Sequence, residues 1–307
     1  MLNDFNLKDL KRKHSLELLC KPWVLAVGVG TKEVKGQNTG EPCIKVYVTQ
    51  KFPEKFLSKY GEEYIIPREI DGVKTDVVVM SEIRKTDVVD IPPERRRRLR
   101  PASGGCSISH YAMNGRGTLT CWVRDKRNGE PLLLSCWHVI AYQGMGIRGD
   151  PILQPGRLDG GKLPDDTIAF LERWVDVRML GPDLHLCKER IRMALENGIK
   201  IPTNRVDAAL AKPISDKVVS YEILGICKPG GINEAKRGDV VLKSGATSGV
   251  TQGIVQDTDV DIFVGYQPLG VALFMDQVLV TSGGYGIVNP PRDIEEELNC
   301  KFLSFQI

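Results

Sequence analysis

No apolar run in the 307 residues approaches the roughly 18–20 needed to cross a bilayer, so no membrane partner is expected. A surplus of one charge is also missing. Forty-two Lys and Arg stand against 39 Asp and Glu, a net +3, too little to argue for nucleic acid or an anionic surface. The eight cysteines (Cys20, Cys43, Cys106, Cys121, Cys136, Cys187, Cys227 and Cys300) never form a CxxC pair, which leaves a zinc site or a thioredoxin-type motif without support. Neither a metal nor a cofactor is expected. Nucleotide loops are missing too. Gly28-Val-Gly30 has no third glycine opening a helix behind it, and Ser244-Gly-Ala-Thr-Ser-Gly249 lacks the GxxxxGK spacing and reads better as a tight hairpin. Residues 1–14 carry charges throughout and no apolar signal core, so a cytoplasmic chain with reduced, mostly buried cysteines is expected.

The length allows two domains. Residues 4–20 space Leu7, Leu10, Leu16, Leu18 and Leu19 between charges as an amphipathic helix, and Pro22 stops it. A β-branched strand over 23–30, a turn at Asn38-Thr-Gly40 and a returning strand over 43–48 follow. A short helix over 53–60 and a hairpin around Asp71-Gly72 complete a small α+β unit, residues 1–90, with no obvious chemical residue. Residues 91–103 hold Pro92, Pro93, the run Arg95 to Arg98, Arg100 and Pro101, a composition that marks a domain boundary. The basic run reads as a solvated linker or a set of salt-bridge donors, with an anion-binding patch or a proteolytic site as the sharper alternative. From 104 to 307 the pattern is one of short strands at regular spacing with turns between them, which predicts an all-β barrel architecture, interrupted by a helical insert over 187–198.

The chemistry centres on Leu132-Leu-Leu-Ser-Cys-Trp-His-Val-Ile-Ala141. The apolar start predicts a buried strand, at whose end His138 is held while its ring reaches a cleft, as a general base near neutral pH requires. The plainer reading is a packed core histidine. Asp207 lies in Val206-Asp-Ala-Ala-Leu210, among small apolar residues where a bare carboxylate is costly without partners. Catalysis by Cys136 or Cys106 would need the thiol beside His138. Cys136 precedes His138 on the same strand, which predicts a side chain turned away from the cleft.

His138, then Asp207 about 70 positions on, then a second set of strands, resembles the trypsin-like serine peptidases, whose chain order is His, Asp, Ser. The resemblance is closer to a cytoplasmic, two-domain branch in bacteria and plants that lacks disulfides. It rests on five pieces in register: Lys21 to Lys32, Asp71 to Asp76, Arg100-Pro-Ala-Ser-Gly-Gly105, Gly149-Asp-Pro-Ile-Leu-Gln-Pro-Gly156, and Lys243 to Gly249. The resemblance implies a mainly β fold, a double β-barrel peptidase domain over 104–307 preceded by the small α+β domain. It also implies a protein or peptide substrate, with His138 and Asp207 as triad members. Oligomeric state stays open, a homo-oligomer included.

The sequence departs from that pattern at the nucleophile. The family's Gly-Asp-Ser-Gly tetrapeptide is missing. Thr281-Ser-Gly-Gly284 is either a degraded nucleophile loop, with Ser282 as the reactive hydroxyl, or a later Gly-Ser turn of such peptidases leading to Asn289-Pro290 and a closing helix over 292–299. In the second case the nucleophile loop and its strand are absent between about 279 and 283. The functional alternative is then a non-catalytic pseudo-peptidase that binds or regulates other proteins.

Overall fold

The computed structural model describes residues 4–80, 93–229, 231–281, 285–288 and 300–301. The fold is mainly β, as the strand spacing predicts, and no helix among the described residues is long and apolar enough to cross a membrane. Helix α1 (Asp4–Leu19) is followed by the hairpin β1 (Val24–Val34) and β2 (Gln37–Val48), the short helix α2 (Glu54–Leu57), and the hairpin β3 (Glu69–Ile70) and β4 (Val73–Val79). The first hairpin turns at Lys35-Gly36, both with positive φ (51° and 77°), and not at Asn38-Thr-Gly40. A two-residue turn of that hand matches the twist of the flanking strands. Asn38 instead uses its side chain locally, its Oδ1 accepting from Gly40 N and Thr31 Oγ1.

The next elements are β5 (Ala102–Gly104), β6 (Ser107–His110), β7 (Gly117–Thr118), β8 (Cys121–Asp125) and β9 (Pro131–Ser135). The one-turn helix α3 (Trp137–Ile140), β10 (Pro151–Leu153) and β11 (Thr167–Trp174) come next. Helix α4 (Leu184–Asn197) is the expected insert. Its N-cap Asp183 accepts from Leu186 N, and Gly198 ends it in the left-handed region. Strand β12 (Ala209–Pro213) completes this half of the chain.

These strands close into a barrel. The sheet order is β8-β9-β12-β11-β10-β6-β7, with one further short strand, Cys300–Lys301, paired to the other side of β8. Strands β7 and β8 are separated by only two residues, across which Leu119 N donates to Cys106 O and Thr120 N to Leu134 O. One chain stretch therefore pairs with β6 at its start and β9 at its end, leaving no open edge there. Trp122, Leu133, Ile152, Ile168 and Ala211 fill the interior.

The second half begins with β13 (Val219–Ile223), which pairs with β5 in parallel, and continues through β14 (Val240–Gly245), β15 (Gly249–Tyr266), β16 (Gly270–Thr281), β17 (Tyr285–Val288) and β18 (Cys300–Lys301). Ser244 to Gly249 forms the tight hairpin between β14 and β15, with Gly245 opposite Gly249. Strand β15 takes up the two separate strands expected around 253–255 and 260–264, bent by three register shifts. Strands β14, β15, β16 and β17 form a sheet that does not close into a ring among the described residues. It is extended instead by β1, which pairs with β15 (Ala26↔Ile262, Val27↔Asp261). The sheet thus runs across the boundary expected near 91–103. Its one face shares a core with the barrel through Ala26, Tyr47 and Ile262, and its other face packs Leu7, Leu18 and Leu19 of α1 and Ile191 of α4.

Close packing explains the glycines of β1. A Cβ at Gly28 would stand 2.8 Å from Val260 Cγ2, and one at Gly30 would overlap the Asp257 carboxylate. The basic run is not a solvated linker throughout. Arg95 is buried and bonds Gly105 O, Ser244 Oγ and Leu224 O, and Arg100 bonds Gln154 Oε1 and O.

Buried charges lock α1 to the sheet. Lys11 Nζ reaches Asp261 Oδ1 at 2.7 Å and Asp276 Oδ1 at 3.0 Å, and both the lysine and Asp261 are fully buried. Lys188 of α4 donates to the carbonyls of Leu19, Lys21 and Val24, closing the end of α1. Replacing Lys11 by Met leaves Asp261 buried without its cation. An unfolding titration in denaturant is expected to show a loss of about 3–5 kcal/mol.

Asp257 is likewise fully buried, bonded by Tyr47 OH, with Lys45 Nζ at 3.7 Å and Arg237 Nε at 3.6 Å. Burial outweighs these cations and pushes its carboxyl up to about 7. A carboxyl raised in the folded state binds its proton there more tightly than in the unfolded chain. Its contribution to stability is full below about pH 4 and is lost as pH rises to about 7. Unfolding free energies measured across that window should therefore fall less steeply with pH in Asp257→Asn than in the parent chain.

Candidate active site

Strand register brings the two sequence-predicted partners together. β12 pairs with β9 with Ala209 opposite Ser135 and Leu210 opposite Leu134. Following that register two residues outward sets Asp207, just before β12, level with Trp137 at the start of α3. His138 therefore lies in the first turn of a helix rather than at a strand terminus, because β9 ends at Ser135 and Cys136 caps α3. His138 Nδ1 stands 2.6 Å from Asp207 Oδ2, and His138 N donates to Asp207 Oδ1 at 3.3 Å. The His138 side chain is 39% exposed and that of Asp207 10%, so a shielded carboxylate holds a ring that solvent and ligands can reach.

A carboxylate at Nδ1 assigns the proton to that nitrogen and leaves Nε2 with its lone pair. Nε2 has no hydrogen-bond partner among the described residues, which is the condition for a general base awaiting a substrate or a nucleophile. A second pair shows the contrast. His110 Nε2 bonds Asp150 Oδ2 at 3.0 Å, but its Nδ1 accepts from Ala112 N, and the ring is 1% exposed and stacked on Tyr142. Both of its nitrogens are spent, so that histidine is architectural.

Tyr266, at the end of β15, is the residue that sequence reasoning missed. Its hydroxyl donates to Asp207 Oδ2 at 2.8 Å, the same oxygen that faces His138. Burial and the adjacent carboxylate push its phenol well above the usual range, so it stays a donor. Its ring packs edge-on against both Trp137 and His138, at 5.9 Å in each case. Nothing in Gly265-Tyr266-Gln267 distinguishes this tyrosine from an ordinary strand end.

The Cys136 side chain is not turned away. The thiol and the ligand atoms of His138 and Asp207 all lie within 4.8 Å of one another, because alternation along the strand has ended before Cys136. Burial and the Asp207 carboxylate hold the thiol well above its ordinary range, which keeps it protonated and a poor nucleophile. These three residues also have the donor set of a metal site, but the short His138–Asp207 hydrogen bond already occupies the space between two of them. Ser282 lies outside the described residues, as do Asn289, Pro290 and the helix expected over 292–299. Strand β16 is unbroken to Thr281, where it pairs with Tyr285 of β17.

Serine proteases of known structure are similar to this chain at low identity. Thermobifida fusca protease A shares 13% identity over 66% of this chain and 98% of its own, with a TM-score of 0.40. A Nocardiopsis protease shares 16% over 65% and 97%, also at 0.40. A glutamic acid-specific serine protease, described as using a histidine triad in substrate binding, shares 15% over 66% and 100%, at 0.41. No family model and no curated protein matches the chain.

Two measurements test the site's geometry. The His138 Nδ1 proton should give a slowly exchanging low-field signal in the proton NMR spectrum, absent from Asp207→Ala. Removing the tyrosine hydroxyl in Tyr266→Phe deprives a shielded carboxylate of a donor and should cost about 1.5–3 kcal/mol in unfolding experiments.

Proposed function

We propose that this chain is a serine endopeptidase-type hydrolase acting on protein or peptide substrates. The observation that carries the reading is the His138–Asp207 contact, with Nδ1 engaged by a shielded carboxylate and Nε2 open. In this reading His138 Nε2 takes the proton of an attacking serine hydroxyl and returns it to the leaving amine. Asp207 fixes the tautomer and stabilises the imidazolium as it forms, with Tyr266 and His138 N holding the carboxylate in place. Ser282 is the nucleophile this reading assigns. The reading also draws support from the motifs that the sequence shares, in order, with trypsin-like peptidases.

A second reading has its own support. The sequence holds no Gly-Asp-Ser-Gly segment, and no described hydroxyl or thiol bonds His138 Nε2. A pseudo-peptidase that retains the cleft and binds other proteins fits both facts.

A fluorophosphonate probe separates the two. Covalent labelling that disappears in both Ser282→Ala and His138→Ala supports the hydrolase with Ser282 as nucleophile. Labelling lost only in His138→Ala moves the nucleophile to another serine. A parent chain that stays unlabelled supports the pseudo-peptidase. Where turnover of a peptide substrate is measurable, Asp207→Asn should lower kcat about ten-thousand-fold by presenting the wrong tautomer of His138.

A further inference from the structure

One cavity lies away from the His138–Asp207 pair. It measures about 500 Å³ and, among the described residues, is lined by ones between Lys21 and Val77. That volume is in the range of small-molecule sites. We propose that it binds a small organic anion with an aromatic or apolar body.

The walls define the body. Trp23 stands at the centre of an aromatic row, 4.6 Å from Phe52 and 6.0 Å from Tyr64, centroid to centroid. All three line the cavity, with Leu57 and Ile66 beside them. Phe52 stacks on Phe56, which is 38% exposed, so the row continues outward to solvent. Half-open aromatic faces of this kind offer offset or edge contacts to a flat apolar group.

The charges define the head. Among the described residues Lys21, Lys32, Lys51 and Arg68 line the cavity against Glu54 and Asp76, a surplus of two positive charges. Several of these groups are already engaged. Arg68 pairs with Glu54 at 2.8 Å, Lys32 Nζ donates to Thr75 O, and Asp76 Oδ2 accepts from Glu33 N. Lys51 differs. It makes no hydrogen bond or salt bridge among the described residues, and Glu33 is the acid whose carboxyl feels its charge. A carboxylate of the ligand at Lys51, with its apolar part against Trp23, gives that ammonium a partner and covers the ring faces. Strands β1, β2 and β4, held in one sheet, contribute Val24, Lys32, Val48 and Thr75 to Val77 to the lining, while the aromatic row and Lys51 stand on the segments before and between them.

The test uses 4-phenylbutyrate and its uncharged amide, 4-phenylbutyramide, titrated into the full chain by calorimetry, with the Trp23 indole N–H signal followed by NMR. The expected result is one saturable site that moves the Trp23 signal and takes the acid at least about tenfold more tightly than the amide. Lys51→Met should abolish that preference and Lys51→Arg should keep it. Lys51 is exposed, so neither change endangers the fold. Absence of saturable binding, equal binding of acid and amide, a preference that survives Lys51→Met, or binding that leaves Trp23 unmoved would each overturn the proposal.

Discussion

Carboxylates on one strand need cations from another part of the chain. Strand β15 carries Asp257, Asp259 and Asp261, and the first and last of these are fully buried. Burying a charge without a partner costs about 3–5 kcal/mol. The compensating groups come mainly from the N-terminal segment: Lys45 approaches Asp257, Lys8 pairs with Asp259 at 3.0 Å, and Lys11 pairs with Asp261. Residues at the start of the chain are therefore part of the second sheet's stability. The β1–β15 pairing supplies the hydrogen bonds of that union, and the three lysines supply its register.

The same strand ends at the candidate site. Tyr266 closes β15 and donates to Asp207, so the carboxylate is gripped from two sides: by α3 through His138 and by the second sheet through the tyrosine. The barrel supplies the histidine–aspartate register, and the second sheet fixes the carboxylate's orientation. The contrast with His110 separates a ring that keeps an open nitrogen from an architectural one. Both rings meet an aspartate, but only His138 keeps an unpaired nitrogen and a surface that solvent can reach.

Much of this was legible in the sequence, for reasons that differ by residue. The strand spacing after residue 104 announced a β architecture, and the helical insert expected over 187–198, ending at Gly198, is the helix over 184–197, whose start at the Asp183 cap was not read. His138 and Asp207 could be paired because chain order and neighbouring motifs resemble a known arrangement. Other features were hidden because their partners are remote. Alternating Asp and apolar residues over 257–262 look like a solvated strand face, and only lysines some 200 to 250 positions earlier reverse that reading. Lys11 and Ser15 interrupt the leucines of α1 yet lie on its buried face, for the same reason. The Cys136 orientation was missed because the strand-to-helix change falls one residue before it, and a period-2 rule does not cross that change.

The pairing of β1 with β15 joins positions more than 200 residues apart, and this has a consequence for biogenesis. As the chain leaves the ribosome, the edge of β1 that will meet β15 emerges long before its partner is made. Such distant contacts raise contact order and slow folding. Until the last third of the polypeptide arrives, the early segment presents an unsatisfied strand edge to its surroundings. A chaperone covering that edge would protect it from pairing with other chains until β15 is made.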